Sequence, residues 1–523
     1  MPEGKQLVAP RPSLVEPIDV ADIAASVSAS FALRPPNSAD AFGYQVHGIT
    51  QRAQHVRAGD LFAALPGARV HGADFAEDVL AAGAAAILTD AAGAARPALQ
   101  AAKVPVLVLP DPRAVLGALA SRIYGCPSDH LSVLGVTGTS GKTTTTYLID
   151  AGLRAAGKIT GLIGTVQTAI AGERLASAFT TPEAPDLQAL LAYMLEQGVT
   201  HVPMEVSSHA LTFGRVAGVR FSIGAFTNLS QDHLDFHHDM EDYFAAKAKL
   251  FDGRAAREVV CTDTSWGLRL VRPDTVTVNT SGSDAVWQVR DLEPFEIGGQ
   301  SFTAVGPRGL RIPIALRLPG SFNVANALLA TAILIEAGIE PDAIAHGLST
   351  VDVPGRMERV NAGQDFTAVV DYSHKPAAVA LALDAVHAQL DRDHSDGRVL
   401  VVLGCGGDRD AGKRPLMGAE AARRADLLVV TDDNPRSEDP DTIRAAMRDG
   451  ALAVPRGQRG EVVDIGDRRA AIRFAVDNPH PGDVVVVAGK GHETGQEIAG
   501  MIHPFSDRDE LDAAIRELAK THG

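Results

Sequence analysis

Four apolar runs in the last third of the chain restrict its fold more than any other feature. FTAVVDYS (366–373), VLVVLGCGGD (399–408), DLLVVTDDN (426–434) and DVVVVAGKG (483–491) are Val- and Leu-rich, and each ends in a polar or glycine-rich loop. A strand with one wet face alternates apolar and polar residues. These runs do not alternate, so both faces should be buried, as in a parallel sheet covered by crossover helices. In such open sheets ligands sit at the carboxyl ends of the strands, so the four loops should face one crevice. One of them, TDDNPRSEDP (431–440), reads as a turn at Asp433-Asn434-Pro435, then a helix capped by Asp439 and started by Pro440. Arg436 stands at its tip.

The same rhythm runs upstream, in LSVLGVTG (131–138), HVPMEVSS (201–208), FSIGAFTNLS (221–230) and EVVCTD (258–263). Residues 291–318 alternate like a β-meander, and SFNVANALLATAILIEAGI (321–339) carries apolar residues at helical spacing. GDLFAALPGARVHGADFAEDVLAAGAAAILTD (59–90) reads strand, turn, helix, strand, without a catalytic constellation. A chain of 523 residues is too long for one core. The expected class is α/β in three domains: a small α/β domain over 1–127, a central parallel-sheet domain over 128–352, and a Rossmann-like domain over 353–523.

A net charge of −16 argues against nucleic acid or an acidic membrane as the main partner. No apolar run approaches the roughly 18 residues of a membrane helix, so no membrane insertion is expected. Cys126, Cys261 and Cys405 are scattered with no CxxC pair, which points to a reducing cytoplasm and away from a thiolate metal site. The opening MPEGKQLVAPRPSLVEP lacks a signal layout and reads as a floppy arm. A monomer is the default expectation.

LGVTGTSGKTTTT (134–146) lies between a predicted strand and a predicted helix. Gly138 and Gly141 let the backbone wrap closely, so that amides of Thr139, Ser140 and Thr144 can point at phosphate oxygens. Lys142 can reach β- and γ-phosphates, and the Thr143 hydroxyl can hold Mg²⁺. The pattern GxxxxGK[ST] is not fully met, because its first glycine falls on Val136. The GKT core in this context still marks an ATP or GTP site; a plain glycine turn would not explain the run of threonines. Glu205, ending HVPME, stands where a metal carboxylate often sits. TNLSQDHLDFH (227–237) gathers Asp232, His233, Asp235 and His237, but without HExxH or Cys/His spacing a structural zinc is not expected.

Together these segments resemble the Mur ligases, ATP-dependent amide-forming enzymes of peptidoglycan synthesis. The resemblance rests on TGTSGKTTT, MEVSSH, TNLSQDHLDFH, DYFAAKAKLF, GSFNVANALLA, VPGRMERV, DYSHKP, GCGGDRDAGKRPLMG, DNPR and GKGHE, in one order over about residues 45–510. Several blocks are specific to members that add the third peptide residue to UDP-MurNAc-L-Ala-D-Glu. The resemblance implies a first domain for the UDP substrate, a central ATPase domain and a third domain for the amino acid. It implies an ADP-forming ligation through an acyl phosphate, with ATP and two Mg²⁺ ions. Thr143, Glu205 and His233 then line the metal sites. Lys247 matches a lysine carbamylated by CO₂, which turns a cation into an oxygen ligand; without the resemblance it would read as a solvated helix charge. Lys142, Asp371 and His374 join the catalytic set, and Asn323, Asn326 and Arg356 lie by the nucleotide. Thr180, Thr181, Ser207 and Arg215 match contacts of the muramoyl-dipeptide.

Two departures stand out. Many members carry Asp-Ser-Arg before GDLF, where this chain has Arg52-Ala53-Gln54. Many have Thr where DYSHKP has Lys375. The amino acid added in this family is mostly meso-diaminopimelate or L-lysine, which differ by one distal carboxylate. Members taking diaminopimelate carry DNPR, so the resemblance assigns Arg436 to that carboxylate. It assigns Asp433, Asn434, Gly489 and Glu493 to the distal ammonium and its surroundings, and Arg409 to the other carboxylate. The alternatives are a lysine-adding member, a folylpolyglutamate-synthase-like ligase, or a non-catalytic nucleotide-dependent switch.

Overall fold

The computed structural model describes every residue except 1–9, 34–42, 68, 176–179, 235, 283, 296–298, 393 and 523. Asp235 and the first part of the N-terminal segment lie outside the described residues. The chain divides into two compact units. One comprises Met1–Thr137, Gly157–Ala225 and Ala245–Glu258; the other comprises Gly138–Ala156, Phe226–Phe244 and Val259–Gly523.

The first unit holds a five-stranded sheet ordered Ser30–Leu33, Val106–Val108, Ala86–Thr89, Asp60–Ala64, Gly48–Thr50. Its strands are parallel except the Ser30–Leu33 edge. GDLFAA supplies the Asp60–Ala64 strand, buried along its whole length. In the same unit His201–Glu205 runs parallel to Ser132–Thr137, so Glu205 pairs with Val136. Residues 10–17 correct the expectation of a floppy arm. Arg11 NH1 lies 2.8 Å from both oxygens of the buried Asp60 carboxylate, and Ser13 N donates to Glu196 at 3.0 Å. The cause is Asp60 itself: a carboxylate buried at the head of a strand needs a cation.

The second unit carries the meander Trp287–Phe295, Gly299–Val305, Arg311–Leu316, paired antiparallel as the alternation suggests. It also carries a six-stranded sheet ordered Glu358–Arg359, Thr367–Asp371, Val484–Ala488, Val399–Cys405, Leu427–Asp432, Glu461–Asp464. All its strands are parallel except the first. Val399, Val401 and Leu403 pack with Val379, Leu383, Met417, Ile443 and Met447 on one face. Leu400 and Val402 pack with Ile472, Leu511 and Ile515 on the other. That two-sided burial is why the runs show no alternation. It also puts the carboxyl ends of four strands, and their loops, along one edge.

Behind that edge, Arg468 and Asp507 form a fully buried ion pair, with Arg468 Nε and NH2 at 2.7 and 2.8 Å from the carboxylate. Arg468 also donates to the carbonyls of Ala488 at 2.9 Å and Asp432 at 3.3 Å, the last residues of two strands. Burial alone would lower the Arg468 pKa, but the Asp507 charge outweighs it and keeps the guanidinium protonated.

Among the described residues no helix is long and apolar enough to cross a membrane. Cys261 and Cys405 are buried free cysteines. Burial, reinforced by Asp263, pushes the Cys261 thiol up to about 12. Cys261 should therefore resist iodoacetamide at pH 8 in the native protein and react only on denaturation, which peptide mass mapping would read out.

Candidate active site

The phosphate loop leads into the helix Lys142–Ala155, and its glycines are required by geometry. Gly138 has φ +146°, and a Cβ there would sit 1.9 Å from Thr227 Oγ1. Gly141 has φ +86°, and its Cβ would sit 2.2 Å from Asn326 Oδ1. Only a residue without Cβ fits either place. Lys142 Nζ folds back to donate to the Gly138 and Thr139 carbonyls at 2.9 and 3.1 Å. Ser140 exchanges hydrogen bonds with the Asn228 side chain and accepts from Thr227 Oγ1 at 2.7 Å. Thr143 and Thr144 are buried on the first helical turn.

Asn323 and Asn326 lie buried on the helix Ser321–Glu336 and are joined at 3.2 Å. Asn326, Phe322, Ala325, Leu329, Thr227 and Asn228 line a cavity beside the loop. It is apolar with few polar edges, the character of a nucleoside pocket. Arg356 NH2 lies 3.5 Å from Thr143 Oγ1, its guanidinium stacks 4.5 Å over the Tyr372 ring, and its Nε is buried with no partner among the described residues. A half-buried, half-satisfied guanidinium next to a phosphate loop fits an anion.

The strand-end loops carry the next residues. Asp371 is buried and accepts from Met357 N at 2.8 Å and Ser373 N at 2.9 Å. His374 Nδ1 is 2.7 Å from the Tyr372 carbonyl, so Nδ1 carries the hydrogen and Nε2 is the free acceptor. Burial, then Lys375 and Lys413, hold the His374 imidazole well below its ordinary range. His233 has φ +54° and places Nε2 3.1 Å from Asp232.

In the first unit Glu205 is buried and orders a second group. Its carboxylate accepts from Thr165 N at 2.8 Å and Thr165 Oγ1 at 3.1 Å, and Thr165 Oγ1 lies 3.0 Å from Thr180 Oγ1. Thr181 Oγ1 donates to the Glu205 carbonyl at 2.8 Å and accepts from Ser207 N at 3.3 Å. Arg215 donates to the Thr181 carbonyl at 3.3 Å and pairs with Glu183 at 2.6 Å. Ser207 Oγ caps the helix Ser208–Thr212. Thr180, Thr181, Ser207, Arg215 and Glu205 thus form one network. Lys247, also in this unit, is 1% exposed. A solvated helix lysine would not be; this one is inside the protein.

The loop after Leu427–Asp432 is built around charge. Lys490 is completely buried, and its ammonium lies 2.9 Å from Asn434 Oδ1, 3.2 Å from Glu493 and 3.5 Å from Asp433. Asn434 Nδ2 donates to Glu493 at 2.8 Å. Gly489 has φ +117°, and a Cβ there would press on Asp433 at 3.0 Å. Arg436 adopts φ +55°. Its NH1 donates to the Gly407 carbonyl at 2.6 Å and its Nε pairs with Glu497 at 3.3 Å, leaving NH2 without a hydrogen bond among the described residues. Arg409 is exposed and donates to its neighbour Asp408's carbonyl at 3.4 Å, a contact that does not involve Arg436.

Sequence reasoning misses Lys490, Glu497, Arg468 and Lys413. For Lys490, inside GKGHE, a lysine between two glycines after an apolar run is the available signal. Glu497 and Arg468 give none, since their partners lie 61 and 39 positions away.

Three family models match in order: "Mur ligase family, catalytic domain" over 45–124, "Mur ligase middle domain" over 136–334, and "Mur ligase, glutamate ligase domain" over 355–491. The UDP-N-acetylmuramoyl-L-alanyl-D-glutamate–2,6-diaminopimelate ligase of Corynebacterium glutamicum is 55% identical, covering 87% of this chain and 89% of its own. The protein of the same name from Streptomyces coelicolor is 51% identical, covering 98% and 99%. A solved structure of a ligase of that name is 32% identical and superposes with a TM-score of 0.63 over 91% of this chain and 96% of its own.

Proposed function

We propose, from the premise that the chain belongs to the Mur ligase family, that it joins meso-diaminopimelate to the D-Glu γ-carboxylate of UDP-MurNAc-L-Ala-D-Glu, consuming ATP. The γ-carboxylate attacks the ATP γ-phosphorus, forming an acyl phosphate and releasing ADP. The free amine, having lost its proton, then attacks the acyl carbon; the C–O bond to phosphate breaks and an amide remains. ATP is needed because a carboxylate oxygen leaves poorly and phosphate leaves well.

Each reactant is an anion or a zwitterion, so the protein's part is positioning and charge neutralisation. Gly138 to Thr144 would wrap the phosphates, with Lys142 and Arg356 against the terminal ones. Asn323 and Asn326 would edge the nucleoside. Thr143, Glu205, His233 and a carbamylated Lys247 would hold two Mg²⁺ ions. The residues fit that group: they are hydroxyl, carboxylate and imidazole donors, and an amine at Lys247 that attacks the carbon of CO₂ would add a carboxylate-like oxygen ligand at a buried place. When bound, Mg²⁺ would neutralise phosphate charge. Thr180, Thr181, Ser207 and Arg215 would seat the muramoyl-dipeptide, and Asp371 and His374 would close over the ATP. We assign the three domains to 1–127, 128–352 and 353–523, and place the enzyme in the cytoplasm as a monomer.

The observation that carries the choice of amino acid is the charge pattern of one loop edge. Asp433 and Glu493 face a single ammonium, Lys490, leaving a negative surplus suited to a substrate ammonium. Arg436 offers an unfilled NH2 edge suited to a carboxylate. A diaminopimelate distal carbon carries that pair of groups, and lysine lacks the carboxylate. Arg409 would take the other carboxylate. The overall reaction is tested by phosphate release: it should require both UDP-MurNAc-dipeptide and the amino acid. Hydrolysis that ignores the amino acid would favour a nucleotide switch. Gly141→Ala should weaken ATP binding at least about tenfold, since strain of roughly 1–3 kcal/mol enters at that φ. Titration with a fluorescent ATP analogue measures it.

A further inference from the structure

Lys375, the lysine that departs from the family's usual threonine, forms an ion pair with a loop far away in sequence. Its Nζ lies 2.7 Å from Asp232 Oδ2, with side chains 13% and 14% exposed. Asp232 belongs to a loop laced to the phosphate loop: Thr139 N donates to Asn228 O at 2.9 Å, and Ser230 N donates to Thr139 Oγ1 at 3.1 Å. Tyr243, whose hydroxyl lies 3.2 Å from Thr139 Oγ1, has its pKa raised by burial and further by the Asp232 charge. A carboxylate so placed is a local obstacle to a triphosphate, which brings its own negative charge.

The other ionisable groups here are His233, His374, Lys413 and Arg356. His233 is 3.1 Å from the same Asp232 oxygen, Lys413 is turned to the His374 carbonyl at 3.0 Å, and Arg356 is turned to Thr143 and Tyr372. Lys375 is the ammonium in direct contact with Asp232. A threonine there would be too short to make this pair and could not cancel the charge.

Resting on the reading of this loop as an ATP site, we propose that Lys375 is a positioning residue for the nucleotide: it neutralises Asp232 and pins the His233 loop beside the phosphates. Removing the ammonium leaves the Asp232 carboxylate with the His233 imidazole as its remaining contact, an anion where phosphates must bind; removing both charges does not. The sign of the double variant therefore separates this role from a merely structural one.

The test is equilibrium binding of ATP with Mg²⁺ to the full-length protein, without turnover, for the wild type, Lys375→Met, Lys375→Arg and the Lys375→Met/Asp232→Asn double variant. Lys375→Met should bind about tenfold more weakly, about 1.4 kcal/mol. Lys375→Arg should stay within about threefold of wild type, and the double variant should regain most of the loss. Circular dichroism and Tm verify that each variant is folded. Unchanged affinity in Lys375→Met, or a double variant as weak as the single, overturns the proposal. Ligation by the wild type is measured alongside. If ATP binds with the predicted pattern but no ligation occurs, the functional reading fails while the role of Lys375 stands.

Discussion

Arg436→Ala should lower kcat/KM for meso-diaminopimelate at least about tenfold, or roughly 1.4 kcal/mol. The residue is held from three directions: its backbone amide donates to the Glu497 carbonyl at 3.0 Å, NH1 donates to the Gly407 carbonyl, and Nε forms an ion pair with the Glu497 carboxylate. The guanidinium's orientation is therefore set before any substrate arrives, and little ordering cost remains for binding. Alanine would leave the distal carboxylate without a cation in a loop already rich in acid. Arg436→Lys is a sharper control: it keeps the charge but loses the planar fork, so it should recover only part of the activity. KM for ATP should not move in either variant. Steady-state kinetics with each substrate varied in turn decides the matter; unchanged constants for diaminopimelate would remove Arg436 from the site.

Arg468→Leu, at the start of the helix Arg468–Val476 beside the six-stranded sheet, should be strongly destabilising. It leaves the Asp507 carboxylate buried with no cation, and breaking such a pair costs about 3–5 kcal/mol. For a domain of this size that corresponds to a Tm lower by roughly 10 °C, read by differential scanning calorimetry. The double variant Arg468→Leu/Asp507→Leu should recover most of the loss, because two apolar side chains can replace a buried pair at little cost. Arg468 also holds the carbonyls at the ends of two strands, so the single variant should lose amino-acid affinity as well.

How much of the chain is legible in its sequence follows from how far apart the interacting residues lie. The parallel sheet is readable because burial on both faces leaves uninterrupted apolar runs such as Val399–Cys405 and Val484–Ala488. The helix after DNPR is readable because Asp439 and Pro440 act locally; Asp439 accepts from Thr442 N as an N-cap. Contacts between distant segments leave no local trace. Nothing near Arg11 announces Asp60, and nothing near Arg436 announces Glu497. The site residues themselves come mostly from resemblance. A lone lysine such as Lys247 carries no sign of burial in its sequence neighbours, because only folding encloses it. Lys375 is the reverse case, a departure from the resemblance whose ion pair with Asp232 gives it a place.

Selection by one loop edge of an amino acid with a carboxylate at both ends is tested most directly by ligation assays with meso-diaminopimelate and L-lysine, side by side. The assays use UDP-MurNAc-L-Ala-D-Glu, ATP and Mg²⁺, with the tripeptide product identified by mass. A diaminopimelate product is expected, with at least about a hundredfold lower kcat/KM for L-lysine, about 2.7 kcal/mol. Equal or better use of L-lysine would contradict that selection.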